Sequence, residues 1–282
     1  MKKLILPFLL LITTASAAQS DSLTVVSTKW ETKKIAKGVL WKSYLFEGNL
    51  FGSNQSINIL EVRRNSRVTF SFGFDPKELK LTSDFGKSAA ALAALNGTFF
   101  DIKNGGSVDF LKVNGQIINE NRLQNDQRAV HQKAAILLEG KRLKIEKWNG
   151  EPMWEATLTA KNVMLSGPLL ILNQHVESVD SSAFTYTRHP RTAIVVTNSD
   201  RVLLMTVDGR DPNAAGMSLI ELRKVLKWLD AKDAINLDGG GSTTLWISNQ
   251  PDNGVVNFPS DNKIWDHAGE RKVANVILVN KR

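Results

Sequence analysis

The chain has 282 residues, 42% of them hydrophobic, with no cysteine and a formal charge of +8 at pH 7. That apolar content supports a sizeable core and argues against intrinsic disorder. Disulfides, thiol nucleophiles and thiolate metal sites are excluded, and the Lys and Arg residues are scattered, with no basic run interleaved with aromatics, so they do not point to nucleic acid.

Residues 1–18 read as an export signal. Lys2 and Lys3 form a basic start, residues 4–12 an apolar run too short to span a bilayer, and Ala15-Ser16-Ala17-Ala18 a small-residue cleavage region. Losing Lys2 and Lys3 lowers the charge by two, to +6. The mature protein is expected to be periplasmic or secreted, near anionic envelope polymers or phosphorylated substrates. It has no further stretch of transmembrane length. Residues 19–282 read as one domain without repeats or linker, and carry no signal of oligomeric state.

Residues 23–26 and 39–41 read as strands. Residues 56–62 and 67–72 alternate as half-buried strands in antiparallel pairing, with a turn at 63–66. A helix is expected at 82–88, then a short buried strand at 90–95 running into Asn96-Gly97-Thr98-Phe99-Phe100-Asp101. That stretch is either a turn with two core phenylalanines or a strand end offering Asn96 and backbone amides to a ligand. Asn114-Gly115 marks a hairpin over 109–118, and a second joins 134–138 to 142–148. Gly167-Pro168 breaks a bent strand or strand pair over 163–171.

Residues 193–197 and 201–207 form a buried hairpin, which sets Arg191 and Asp208-Gly209-Arg210 at the same sheet end. Ser218 and Glu221 make a capping box for a helix with Leu219, Leu222, Val225, Leu226 and Leu229 on one face. From 202 to 237 the chain therefore reads strand–helix–strand. A right-handed crossover would set those two strands parallel and bring Asp208 and Asp238 to one edge. A long polar loop over 248–270, of a kind that often forms a lid, precedes a last strand at 273–279. The expected class is α+β or mixed α/β: mixed β-sheets with antiparallel hairpins, at least one βαβ crossover, and helices packed on the sheet.

The most unusual stretch is Asn236-Leu237-Asp238-Gly239-Gly240-Gly241-Ser242-Thr243-Thr244. Three consecutive glycines cost backbone entropy and belong where positive φ or close approach is required. Asp238 either serves chemistry there or shapes the turn. Asp208 and Asp238 suit carboxylate roles, and Arg191 and Arg210 suit a bidentate phosphate clamp; the alternative is that these groups form structural ion pairs. His189 and His267 read as loop histidines, and His131 and His175 have no motif support. Asp101, Asp208 and Asp238 could gather oxygen ligands for a divalent cation, but no metal-binding spacing is present, so no metal or other cofactor is predicted.

Taken together, Asn96–Asp101, Ser166-Gly167-Pro168-Leu169-Leu170, His189–Ala193, Val207–Arg210, Asn236–Thr244 and Gly269-Glu270-Arg271-Lys272-Val273-Ala274-Asn275 resemble the phosphodiester glycosidase family in order and spacing, over roughly residues 80–280. Thr98 stands where many members carry glycine, and Lys272 where proline is frequent; neither departure removes a functional group. The resemblance implies hydrolysis of a sugar-1-phosphodiester at the anomeric bond, in an envelope or extracellular glycan. Asp208, Asp238 and Glu270 are the expected catalytic residues. Asn96, Gly97, Asp101, Gly167, Arg191, Gly209, Arg210, Gly239, Gly240, Gly241, Ser242, Thr243 and Arg271 are the expected substrate-binding residues. The rival readings are a non-catalytic glycan-binding envelope protein and a metal-dependent phosphodiesterase that cuts the P–O bond.

Overall fold

The computed structural model describes residues 20–123 and 125–282. The expected leader, residues 1–18, lies outside them. In chain order the elements are α1 (residues 20–27), β1 (Glu31–Ala36), β2 (Val39–Leu50), β3 (Ser53–Val62), β4 (Val68–Phe74), α2 (Thr82–Ser88), β5 (Ala93–Asn96), β6 (Leu111–Val113), β7 (Gln116–Asn119), β8 (Ala134–Glu139) and β9 (Arg142–Lys147). There follow α3 (Trp154–Thr157), β10 (Asn162–Ser166), β11 (Leu169–Leu172), β12 (His175–Val176), α4 (Ala183–Tyr186), β13 (Arg191–Thr197), β14 (Val202–Val207), α5 (Leu219–Trp228), β15 (Ala231–Asn236), β16 (Leu245–Ile247) and β17 (Asn275–Lys281).

The strands form three sheets, ordered β1-β2-β3-β14-β13-β15-β11-β12, β7-β6-β10-β8-β9 and β16-β5-β17-β4. Alternation along the central strands sorts side chains between two cores. Leu204 of β14 and Ile194 of β13 face an inner core shared with Phe70, Leu95 and Ile277 of the four-stranded sheet and Ile136, Leu143 and Met164 of the five-stranded sheet. Leu203, Met205, Ala193 and Val195 face the other way, onto Leu219, Leu222, Val225 and Leu226 of α5 and Val25 of α1. The Ser218–Glu221 capping box closes the start of α5.

The expected mixed α/β class is overturned. Among the described residues every ladder between named strands is antiparallel. The strands joined through α5 do not pair: β13 lies between them, antiparallel to β14 on one side and to β15 on the other. The short turn at 198–200 lets β14 fold straight back on β13, which leaves β15 only the far edge of β13. Strands β14 and β15 still run in the same direction, so residues 208 and 238 leave the sheet at one end, where β13 begins.

Three local expectations also change. Residues 23–26 are helical, with Val25 docked while Leu23 and Val26 stay 62% and 66% exposed. Strands β3 and β4 enter different sheets, as do β10 and β11 on either side of Gly167-Pro168. No described helix is long and apolar enough to cross a membrane.

Candidate active site

The end of β15 is fixed before the glycine run begins. Buried Asn236 receives nothing from solvent; its Nδ2 donates to Gly167 O (2.9 Å) and its N–H to Pro168 O (3.0 Å). The next turn of backbone is held between two sheets: Asp238 N–H donates to Gly97 O (3.2 Å), and Asn96 Nδ2 donates to Asp238 O (2.7 Å). The Asp238 carboxylate is left for other work. Among the described residues its one hydrogen bond comes from the Gly239 N–H, at 2.9 Å. It is partly open to solvent, and burial pushes its pKa up to about 6. The nearby charge of Asp109 adds to that rise, whereas Ser242, the Gly239 amide and Arg271 oppose it; the Ser242 hydroxyl lies beside the carboxylate but outside hydrogen-bonding geometry.

Two guanidiniums close on the glycine turn. A Cβ at Gly240, where φ is +62°, would lie 2.9 Å from Arg210 Nη2, and one at Gly241 would lie 2.6 Å from Arg271 Nη2. Side chains at these positions would push both arginines away, which is the close approach that the run of glycines permits. Arg210 is exposed, and no hydrogen bond or ion pair engages its guanidinium among the described residues. Arg271 Nε donates to Asp261 Oδ1 (2.8 Å), with both side chains about one-third exposed. Burial first, then the charges of Arg191 and Arg210, lower the pKa of His189 and favour the neutral ring.

Sequence reasoning missed the other titratable group of the site. Asp109, fully buried just before β6, accepts from Thr98 Oγ1 (2.7 Å) and pairs with His131 Nδ1 (2.8 Å). The His131 ring packs on Phe99 with centroids 4.4 Å apart. No local motif marks His131, because its partner lies 22 residues away and only the register of the sheets unites them.

Several expected site residues serve as scaffold. Asp208 is fully buried with its carboxylate filled: Ser56 Oγ donates to Oδ2 (2.6 Å), and Asn257 Nδ2 (2.9 Å) and Phe258 N–H (3.0 Å) donate to Oδ1. Burial pushes its pKa up to about 6 despite these donors. It thus fixes the root of the long loop that carries His267, Asp261 and Arg271. Arg191 is 1% exposed and spends its donors on the carbonyls of Met217, Phe184 and Thr187, with its guanidinium 4.7 Å from the Phe184 ring centroid. Burial, and then Arg210, lowers its pKa to about 10. Asn96 is buried and accepts from Thr192 Oγ1 and the Thr244 N–H, and Thr243 is buried beside it. Gly97 packs on Asn275, and Gly209 on Gly216 and Pro190.

Two further expected residues are engaged by local partners. Asp101 caps its own turn through the Lys103 and Asn104 amides and pairs with Arg122, which hold its carboxyl far below the usual range. Glu270 accepts from the Ser83 N–H at the start of α2 (3.0 Å), and burial raises its pKa. His267 Nδ1–H donates to Asn257 O at the loop root (2.6 Å), and its ring stacks on Phe258. A groove of about 640 Å³, rimmed by Arg63, Arg142, Lys144 and Lys232, opens at the other end of β13, β14 and β15 and is lined by none of these site residues.

Antiparallel sheets around one inner core, with a carboxylate and two arginines gathered on a glycine turn at the sheet end, define a β-rich scaffold. The chain belongs to the phosphodiester glycosidase family, whose pattern matches residues 89–280. It is 25% identical over 231 residues to mouse N-acetylglucosamine-1-phosphodiester alpha-N-acetylglucosaminidase, covering 74% of this chain but 41% of that protein, so it spans about two-fifths of the curated relative's length. The catalytic domain of the zebrafish enzyme of that name, described as auto-inhibited by its pro-peptide, superposes with a TM-score of 0.65 at 18% identity, over 95% of this chain and 93% of that one. A hypothetical protein from Synechocystis gives the same TM-score at 16% identity, over 90% of this chain and 64% of that one. At these identities the two solved structures speak to the fold.

Proposed function

We propose that this protein hydrolyses the bond between a sugar's anomeric carbon and a phosphodiester, releasing the free sugar and a phosphomonoester. The observation that carries this reading is the meeting of Arg210 and Arg271 on the glycine turn that begins at Asp238. Guanidiniums suit a phosphate geometrically and electrostatically, and the carboxylate beside them can take the proton of a water attacking the anomeric carbon. Because phosphate leaves readily, the site must chiefly place charge around it. The relatives' names suggest an α-linked N-acetylglucosamine-1-phosphodiester as the first substrate to try.

We assign Asp238 as the base, Arg210 and Arg271 as phosphate ligands, and Asp208, Arg191 and Asn96 as positioning residues. Export to the periplasm or medium, toward an envelope or extracellular glycan, is part of the same proposal and rests on the pattern of residues 1–18; fractionation of cells making a C-terminally tagged chain tests it. The activity is tested by incubating purified protein with the methyl phosphodiester of N-acetylglucosamine and following free sugar. Release that Asp238→Asn abolishes is the expected result. Absence of release from a panel of sugar-1-phosphodiesters would overturn the assignment.

A further inference from the structure

The Asp109–His131 pair is a built group with no structural task that requires an imidazole. Asp109 is fully buried, and its second oxygen is occupied by Thr98 Oγ1. Its first oxygen holds His131 Nδ1, which orients the ring and leaves Nε2 as the free nitrogen of a side chain that is 24% exposed. A carboxylate that fixes one imidazole nitrogen and frees the other is a general arrangement for proton transfer.

Two independent paths tie this pair to Asp238. Along one, Asp238 N–H donates to Gly97 O, and the adjacent Thr98 holds Asp109. Along the other, Asn236, two residues before Asp238, donates to Gly167 O, and a Cβ at Gly167 would lie 3.0 Å from His131 Cα. Both paths end at the Asp238 turn, and the charge of Asp109 registers at Asp238. The far side of the imidazole is set by Phe99, which meets Phe184 edge-on, and Phe184 in turn lies under Arg191.

We propose that His131, oriented by Asp109, is a catalytic residue that gives a proton to the departing phosphate; this role rests on the glycosidase reading above. Water attacks the anomeric carbon and passes a proton to Asp238. The bond from that carbon to the phosphate oxygen breaks with its electron pair going to oxygen, and the His131 Nε2 proton goes to the phosphate. The products are the free sugar and a singly protonated phosphomonoester. Asp238 then returns its proton through solvent and His131 is recharged. The second ionisation of a phosphomonoester falls near pH 6, and imidazole is the side chain suited to transfer in that range. Asp109 is a positioning residue in this scheme.

The test compares two substrates with the same sugar: the methyl phosphodiester, and a 2,4-dinitrophenyl glycoside whose leaving group needs no proton. His131→Gln and His131→Ala, each checked for folding by urea denaturation, are expected to lose about 100-fold in kcat on the phosphodiester and less than about 5-fold on the dinitrophenyl glycoside. Added imidazole is expected to restore part of the phosphodiester rate in His131→Ala, and Asp109→Asn to show the same substrate-selective loss. Equal losses on both substrates in folded variants, or no loss on either, would overturn the role. A wild-type protein that cleaves neither substrate removes the glycosidase reading, and this role with it. Asp238→Asn separates the two ideas, since it is expected to suppress both substrates.

Discussion

Replacing Asp208 by Asn tests whether this carboxylate is a scaffold. The side chain is fully buried and accepts three hydrogen bonds, two at Oδ1 and one at Oδ2. Asn keeps the oxygen that serves Asn257 and Phe258, and its amide meets a Ser56 hydroxyl that can turn to accept. What changes is charge. Burial raises the folded pKa from 3.8 to about 6, so between those values the folded state binds more protons than the unfolded state, and stability falls as pH rises. A shift of about two units corresponds to up to about 3 kcal/mol. The cost is small at pH 4, vanishes well below the unfolded pKa of 3.8 and is complete above about pH 7. Asn mimics the protonated form at every pH. Urea denaturation of both proteins at pH 4 and pH 7.5 should therefore show the variant gaining on the wild type by up to about 3 kcal/mol across that range. All other groups titrate alike in the two proteins and cancel. A stability difference that stays constant with pH refutes the claim that Asp208 carries a buried charge at neutral pH.

The remaining predictions concern the site. Asp238→Asn should lower kcat about 10³-fold or more with little change in unfolding midpoint, as removal of a positioned base requires; in the wild type, the ionised carboxylate being the active form, kcat/KM on the dinitrophenyl glycoside, which needs no proton from His131, should rise with pH through the raised pKa of about 6 and level off above it. An acid limb at the ordinary carboxylate value would contradict that environment. Arg210→Ala should raise KM about 10–100-fold, the worth of a hydrogen bond to a charged group, and leave the melting temperature unchanged because the guanidinium has no described partner. Gly241→Ala places a Cβ 2.6 Å from Arg271 Nη2. Since the ends of half-exposed side chains can move, this variant should cost about 1 kcal/mol or less in stability while weakening substrate binding; calorimetry and KM together check it.

The sequence disclosed elements wherever local chemistry decides them. Asn114-Gly115 marked its hairpin, Ser218 and Glu221 marked the start of α5, and the apolar alternation of 193–207 marked the central pair. Pairing partners were another matter. Nothing local tells β3 to pair with β14 and β4 with β17, or puts β13 between β14 and β15, because those choices depend on the inner core that all three sheets share. Residues 23–26 have strand-like composition yet form a helix that buries Val25 alone, and Ser27 and Thr28 close on carbonyls four residues back. The site divides in the same way. The Asp238 turn and its glycines are contiguous, and so readable. Arg210 and Arg271 come from different loops; the sequence paired Arg210 with Arg191 instead, and the approach of Arg210 and Arg271 to Gly240 and Gly241 depends on how those loops fold back. Asp109 and His131 carried no sequence signal, since neither sits in a motif and each acquires meaning from the other. Asp208, which looked like a catalytic carboxylate at a strand end, has Oδ1 filled by a loop that returns some 50 residues later and Oδ2 by Ser56 of β3.

The central claim is that the bond broken joins the sugar carbon to oxygen. Hydrolysis of the methyl phosphodiester of N-acetylglucosamine in water enriched in oxygen-18, with both products analysed by mass spectrometry, tests it most directly. The account predicts label in the anomeric hydroxyl of the released sugar and none in the phosphomonoester. Label in the phosphomonoester would mean cleavage between phosphorus and oxygen, and would contradict the roles given to Asp238 and His131.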